Sequence, residues 1–145
     1  MYVELVEKII AVLKAHPELA SPGRVRRYHF GAPRVEPVEY PYIYVQWSRQ
    51  EPADPATTRG FLYNLAFEIG VADRSAREDE AERRVYRLVE AVQEALKANP
   101  TLDGLVENHP APVEVGPIER FRVGDRYAVT SVPLTYVRRV WRDAF

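Results

Sequence analysis

The chain contains no cysteine, which removes disulfides, thiolate metal ligands and a cysteine nucleophile from consideration and leaves the redox compartment open. It also lacks an excess of either charge. Twenty Lys and Arg against 21 Asp and Glu give a formal net charge of -1 and a pI near 6.3, so there is no global basic field of the kind a dedicated nucleic-acid binder carries. Long hydrophobic runs are missing too: no stretch approaches the ~18 apolar residues of a membrane span. The opening MYVELVEKII places Glu4 and Glu7 inside its apolar stretch and has no basic lead, so a signal peptide is not expected, and a soluble cytosolic protein is. The seven glycines form neither GxGxxG nor GxxxxGK[ST], which excludes the usual phosphate cradles. His16, His29 and His109 stand in no metal-ligand spacing. Ser21, Ser48, Ser75 and Ser131 lack the GxSxG surroundings of a nucleophile elbow. The sequence therefore predicts no catalytic set, no cofactor and no metal.

What is present is ordinary globular composition, 46% hydrophobic and 28% charged over 145 residues, which fits a single domain spanning 1–145. Leu5, Val6, Ile9, Ile10, Val12 and Leu13 recur at helical spacing, with Glu4 and Glu7 early and Lys14 late, and predict an amphipathic helix over 3–15. His16-Pro17 and Ser21-Pro22-Gly23 interrupt it. Residues 25–30 are rich in β-favouring types and read as a strand.

Over 42–47 the alternation is clearer: Ile43, Val45 and Trp47 point one way and Tyr42, Tyr44 and Gln46 the other. Both faces are largely apolar, as in a strand that is central or covered by a partner molecule. Residues 48–58, with Pro52, Asp54 and Pro55, read as a mobile connecting loop of about ten residues, long for a simple hairpin. Tyr63, Leu65, Phe67, Ile69 and Val71 then share one face of a long strand. Ser75-Ala76-Arg77-Glu78 has the form of a capping box that opens a helix. Ala81, Val85, Leu88, Val89, Val92 and Leu96 form its apolar stripe, Asp79 with Arg83 and Glu80 with Arg84 are acid-first pairs four residues apart, and Asn99-Pro100 stops it after roughly 23 residues, or about 35 Å. Residues 113–123 and 126–137 read as a hairpin, with Gly124-Asp125 suited to a II′ turn and Pro133 demoting the second half of the last strand to an edge or a bulge. Helix, strands, long helix, strands is an α+β order: a mainly antiparallel or mixed sheet with two helices packed on one face.

Glu78, Asp79, Glu80 and Glu82 lie where acids meet a helix dipole and solvent, which is a better account of them than a cation site. Arg24, Arg26 and Arg27, with Arg138, Arg139 and Arg142, form the densest basic groups. They are candidates for contact with DNA phosphates or acidic protein surfaces, and equally for edge protection of a sheet. Aromatics make up 11% of the chain. Those beyond what two helices on one sheet face can hide suggest a subunit interface.

The order of these elements, and above all the strand Pro41-Tyr42-Ile43-Tyr44-Val45-Gln46, the polar segment after it, the strand over 63–71 and the helix over 81–96, resembles the tail terminator (tail completion) proteins of long-tailed bacteriophages. The resemblance covers most of the chain and lies in order and spacing rather than in one diagnostic motif. It implies a structural virion protein that assembles as a hexameric ring on the head-proximal end of the tail tube, stops tube growth and offers the surface that joins the head. The implied partners are further copies of the chain, a tail tube protein and a head completion protein, with DNA passing through the lumen without being read. The implied location is the host cytoplasm during assembly and then the virion tail, with no membrane. On that reading residues 48–60, with Arg49, Glu51, Asp54 and Arg59, form the candidate interface loop. The rival readings are another head-tail connector or a tail tube protein, and a small α+β enzyme or ligand-binding domain, for which the best polar residues, His29, Asn64 and Glu68, are unconnected in sequence.

Overall fold

The computed structural model describes residues 2–27, 40–53, 61–108, 113–123 and 127–142. The fold is α+β, with helix α1 (Tyr2–Lys14), a single 3-10 turn (Pro17–Leu19), strands β1 (Val25–Arg27), β2 (Tyr42–Pro52) and β3 (Phe61–Ser75), helix α2 (Glu78–Ala98), and strands β4 (Glu114–Val115), β5 (Glu119–Val123) and β6 (Tyr127–Arg142). The six strands make one open mixed sheet in the order β1-β2-β3-β6-β4, with β5 also alongside β6. β1 runs parallel to β2, and every other pairing is antiparallel.

Both helices lie on one side of the sheet, as their apolar stripes require. α1 buries Leu5, Val6, Ile9, Val12 and Leu13, and α2 buries Ala81, Val85, Leu88, Val89, Ala91, Val92, Ala95 and Leu96. These residues pack with Ile43, Val45, Leu65, Phe67, Ile69, Val71, Leu134 and Tyr136 from the central strands into the main core. Trp47 ends the core-facing set of β2, stacking on Tyr2 of α1 at 4.5 Å between ring centroids. Between α1 and β1, His16 Nδ1 accepts the Glu18 N–H at 3.2 Å, supplying the cap for the turn that Pro17 opens.

The structure corrects several expectations. No capping box forms at Ser75. That residue is still in β3, opposite Ala128 of β6, and its Oγ accepts the Arg77 N–H at 3.1 Å. α2 starts at Glu78, behind an Arg77 N-cap that has no side-chain cap bond. Continuing the ladder through Ser75 satisfies backbone groups that an earlier helix start would have released, and Glu78, Asp79 and Glu80 meet the dipole directly. The anticipated pairs four residues apart are also absent among the ion pairs of the described residues: Glu80 pairs with Arg77 at 3.5 Å, and Arg84 reaches Asp73 at 2.7 Å. Residues 48–52, expected in a loop, continue β2 alongside β3, with Ser48 unpaired and the register beyond it shifted by one residue. Of the strand expected over 25–30, Val25–Arg27 is present and the rest falls outside the described residues, as does the Gly124-Asp125 turn.

β6 runs unbroken beside β3 from Ala128 to Arg142, and beyond Thr135 no strand among the described residues pairs with its other side, so its second half is the edge expected from Pro133. The Pro133 carbonyl accepts the Gly116 N–H at 2.7 Å, so the nitrogen that lacks a hydrogen faces the β4 and β5 side. There the register moves by one residue between the Val115–Leu134 and Glu119–Ser131 pairs. The irregularity sits on the partner strand, where a missing donor costs no ladder bond.

Candidate assembly interface

The side of the sheet away from the helices carries Arg49 and Glu51, the two residues of the sequence-predicted interface loop that lie among the described residues. Directly opposed residues of antiparallel strands share a face, so the register sets out rows across β2, β3 and β6. Tyr44, Gly70 and Pro133 form one, Gln46, Glu68 and Thr135 the next, and Glu51, Asn64 and Arg139 a third nearer the far end. Among the described residues no helix lies over this face. At the opposite end Tyr42, Ala72 and Val129 form a small separate apolar cluster, with Tyr40 and Tyr44 packed against it.

A β-bulge decides what the face carries. Between Trp47 and Arg49 the pairing of β2 with β3 slips by one residue, leaving Ser48 as the extra residue and reversing the alternation beyond it. Without the bulge Arg49 and Glu51 would point toward the helices. With it they join the open face opposite Ala66 and Asn64, while Gln50 turns inward and accepts a hydrogen bond from the Tyr2 hydroxyl. Arg49 and Glu51 are an exposed ion pair at 3.5 Å, which by itself contributes little to stability. Asp54 and Arg59, the other residues of the predicted interface loop, lie outside the described residues.

In the middle of the face, Glu68 is held by two neutral donors: the Tyr44 hydroxyl donates to Oε1 at 3.0 Å and Gln46 Nε2 donates to Oε2 at 2.7 Å. Sequence reasoning considered Glu68 only as an isolated polar residue. The bond to Tyr44 depends on the close approach of its ring to Gly70, which alternation alone does not reveal.

The arginines divide by face. Arg26, next to Tyr44 in the register, lies over the Tyr42 ring at 5.4 Å on the open side. Arg27 turns to the helix side and pairs with Glu7 of α1 at 2.6 Å. Arg24 donates to the Glu18 carbonyl at 3.1 Å. Arg138 is only 6% exposed, lies over the Tyr136 ring at 4.3 Å and donates to the Pro100 and Val137 carbonyls, so its role is to tie the end of α2 to β6. Arg139 is on the open face and donates to Asn64 Oδ1 at 3.3 Å. Arg142 closes β6 opposite Phe61. The two runs that look like basic patches in sequence are thus distributed between a buried tie, a helix contact and the open face.

Among the described residues no cluster of His, Asp and Glu has the makings of a metal site, and no helix is long and apolar enough to cross a membrane. No protein-family model matches the chain, and no curated protein matches it. Among solved structures, the chain is similar over 94% of its length to 92% of a chain from a structure described as the virion of native gene transfer agent particle, at 19% identity and a TM-score of 0.44. A likeness that distant is not by itself a statement about function.

One buried polar pair lies apart from the open face. Asp73 and Thr130 oppose each other across β3 and β6 on the helix side, at 1% and 0% exposure. Arg84 Nε comes within 2.7 Å of Asp73 Oδ2 but without hydrogen-bond direction, so neither carboxylate oxygen nor Thr130 Oγ1 is satisfied by a side-chain hydrogen bond. Burial pushes the Asp73 carboxyl above the ordinary aspartate range, against the opposing pull of the Arg74 backbone N–H and of the Arg84 and Arg24 guanidiniums.

Proposed function

We propose that this chain is a structural virion protein that closes with copies of itself into a ring, hexameric by resemblance, on the head-proximal end of a phage tail tube. The ring ends tube growth and presents the head-joining surface. The observation that carries the reading is the sheet face away from the helices, over which no helix of the described residues lies and on which a one-residue bulge gathers Arg49 and Glu51 beside Asn64 and Arg139. Such a face, with charges at one end and aromatics at the other, suits contact with another protein better than it suits chemistry on a small molecule. The order of the elements, from the amphipathic α1 through β2, β3 and α2 to the closing strands, supports the same reading.

On this proposal the protein acts by shape and needs no catalytic group. A heterologous contact whose rotation closes gives a ring rather than a filament, and a ring that matches the tube's end on one side only halts further addition. The partners are a tail tube protein and a head completion protein, and DNA crosses the lumen without sequence readout. The protein occupies the host cytoplasm during assembly and then the virion tail.

The test is light scattering and negative-stain imaging of the purified chain, alone and with its tail tube protein. Discrete rings and capped tubes of limited length are expected. Long cylinders of this chain alone would make it a tube protein, and a single-chain particle at high concentration, with or without the tube, would overturn the proposal. Charge reversal at Arg49 and Arg59 together should impair ring formation or tube capping. Intact capping in that variant would remove residues 48–60 from the interface.

A further inference from the structure

Glu68 has no cation within ion-pair distance among the described residues, although it lies partly buried near the centre of the open face. Asp73 is matched by Arg84, Glu18 by Arg87 and Glu82 by Arg120, and Glu107, the other partly buried carboxylate without a cation among the described residues, accepts the Trp141 indole N–H. Tyr44 and Gln46 fix the direction of the Glu68 carboxylate while leaving acceptor capacity on both oxygens. A carboxylate held in place beside an aromatic ring is suited to a guanidinium, which can take the carboxylate edge-on and stack on the ring.

The other side of the molecule offers the complement. On α2, Arg77 is engaged by Glu80, Arg84 by Asp73 and Arg87 by Glu18 and Glu90. Arg83 is exposed and has no ion-pair partner among the described residues. It projects on the side of the helix away from Ala81, Val85 and Leu88, with Tyr86, 45% exposed, one turn further on.

We propose that the open sheet face is covered by helix α2 of a second copy of this chain, with Glu68 accepting the neighbour's Arg83. Donor and acceptor stand on opposite sides of a two-layer protomer, so the contact is head to tail and each copy leaves one of each for the next. The inference rests on the ring reading above and names the surfaces that would build the ring.

The experiment compares Glu68→Arg, Arg83→Glu and the double charge swap by light scattering over a concentration series, with thermal unfolding to confirm that each variant folds. Each reversal is expected to raise the concentration at which half the protein is in rings by at least about tenfold, and the double swap to recover most of that loss. Glu68→Gln keeps the volume and loses the charge, and should weaken assembly severalfold with little change in the unfolding midpoint, which covers the case in which Glu68→Arg does not fold. Rings indifferent to Arg83→Glu and Glu68→Gln, or a folded double variant no better than either single, would overturn this docking while leaving the ring itself standing. A wild-type chain that forms no rings at any concentration, with its tube protein present, would overturn both.

Discussion

The ring of Tyr44 lies flat against Gly70 on the neighbouring strand, so close that a Cβ built on the glycine would stand 2.0 Å from Tyr44 Cε1. The glycine is there for space and not for an unusual backbone conformation. Its absent side chain lets the tyrosine lie down along the sheet and reach Glu68.

Gly70→Ala should therefore push the Tyr44 ring off the sheet and break its bond to Glu68. A loss of about 1 kcal/mol is expected, the size of one hydrogen bond with some packing, read by urea denaturation. Combined with Tyr44→Ala, the alanine should cost much less, because the ring it displaces is already gone. Equal cost in both backgrounds would show that Gly70 matters for another reason.

Asp73→Asn should leave the protein as stable at neutral pH as the parent, or up to about 1 kcal/mol more so, because a buried, poorly satisfied charge is replaced by a neutral group of the same shape. The sign follows from the raised carboxyl pKa. The folded state binds the proton more tightly than the unfolded chain, so this group favours folding below its unfolded value, near about 4, and that contribution is lost as pH rises through the folded value. The advantage of the variant should shrink as thermal unfolding is repeated from neutral pH down towards about 4. A variant that is clearly less stable at neutral pH would mean that the Arg84 contact outweighs the burial.

Tyr136 is fully buried, and its hydroxyl has no hydrogen-bond partner among the described atoms. Burial raises its pKa, opposed by Arg138. Tyr136→Phe should change stability by less than about 1 kcal/mol, since only an unpaired hydroxyl is lost. Arg138→Ala removes the stacking on that ring and leaves the Pro100 carbonyl without its donor, and should cost about 2 kcal/mol. Calorimetric midpoints of the two variants separate the cases, and a costly Tyr136→Phe would reveal a partner for the hydroxyl.

Phe67 is at 0% exposure in the middle of the core, under α2 and 6.4 Å from the Tyr136 ring. Phe67→Ala should cost about 3 to 5 kcal/mol, measurable as a fall in the urea midpoint. A cost below about 1 kcal/mol would mean that the site collapses around the missing ring.

Much of this architecture is legible in the sequence because its main signals are periodic. The helical stripe from Ala81 to Leu96 and the alternation from Tyr63 to Val71 identify their elements and their buried faces, and they place both helices on one side. What escapes is set by pairing between distant residues. Ala72 to Ser75 are too polar to look like strand, yet β6 holds them in the ladder, and so Ser75 is lost as a helix cap. The edge half of β6 is legible in Pro133, but the bulge beside it lies in the segment before β5 and not in the strand that carries the proline. The Asp73 and Thr130 pair is formed by register between strands far apart in sequence. Arg49 and Glu51 of the predicted interface loop share the open face with Arg139 of the predicted basic patches, whereas Arg138, adjacent to Arg139, faces inward because neighbouring positions of a strand point opposite ways.

Ser48 works as a parity switch in the chain. Pairing Ser48 with Ala66 in place of Arg49, with no residue removed, would exchange the destinations of Arg49 and Glu51 with those of Gln50 and Pro52, carrying two opposite charges underneath α1 and leaving an amide and a ring outside, with every side chain chemically unchanged. Loss of Ser48 by a single codon would instead close the bulge and keep Arg49 and Glu51 where they are, so what a neighbouring molecule meets here is set by the extra residue being held out of the ladder.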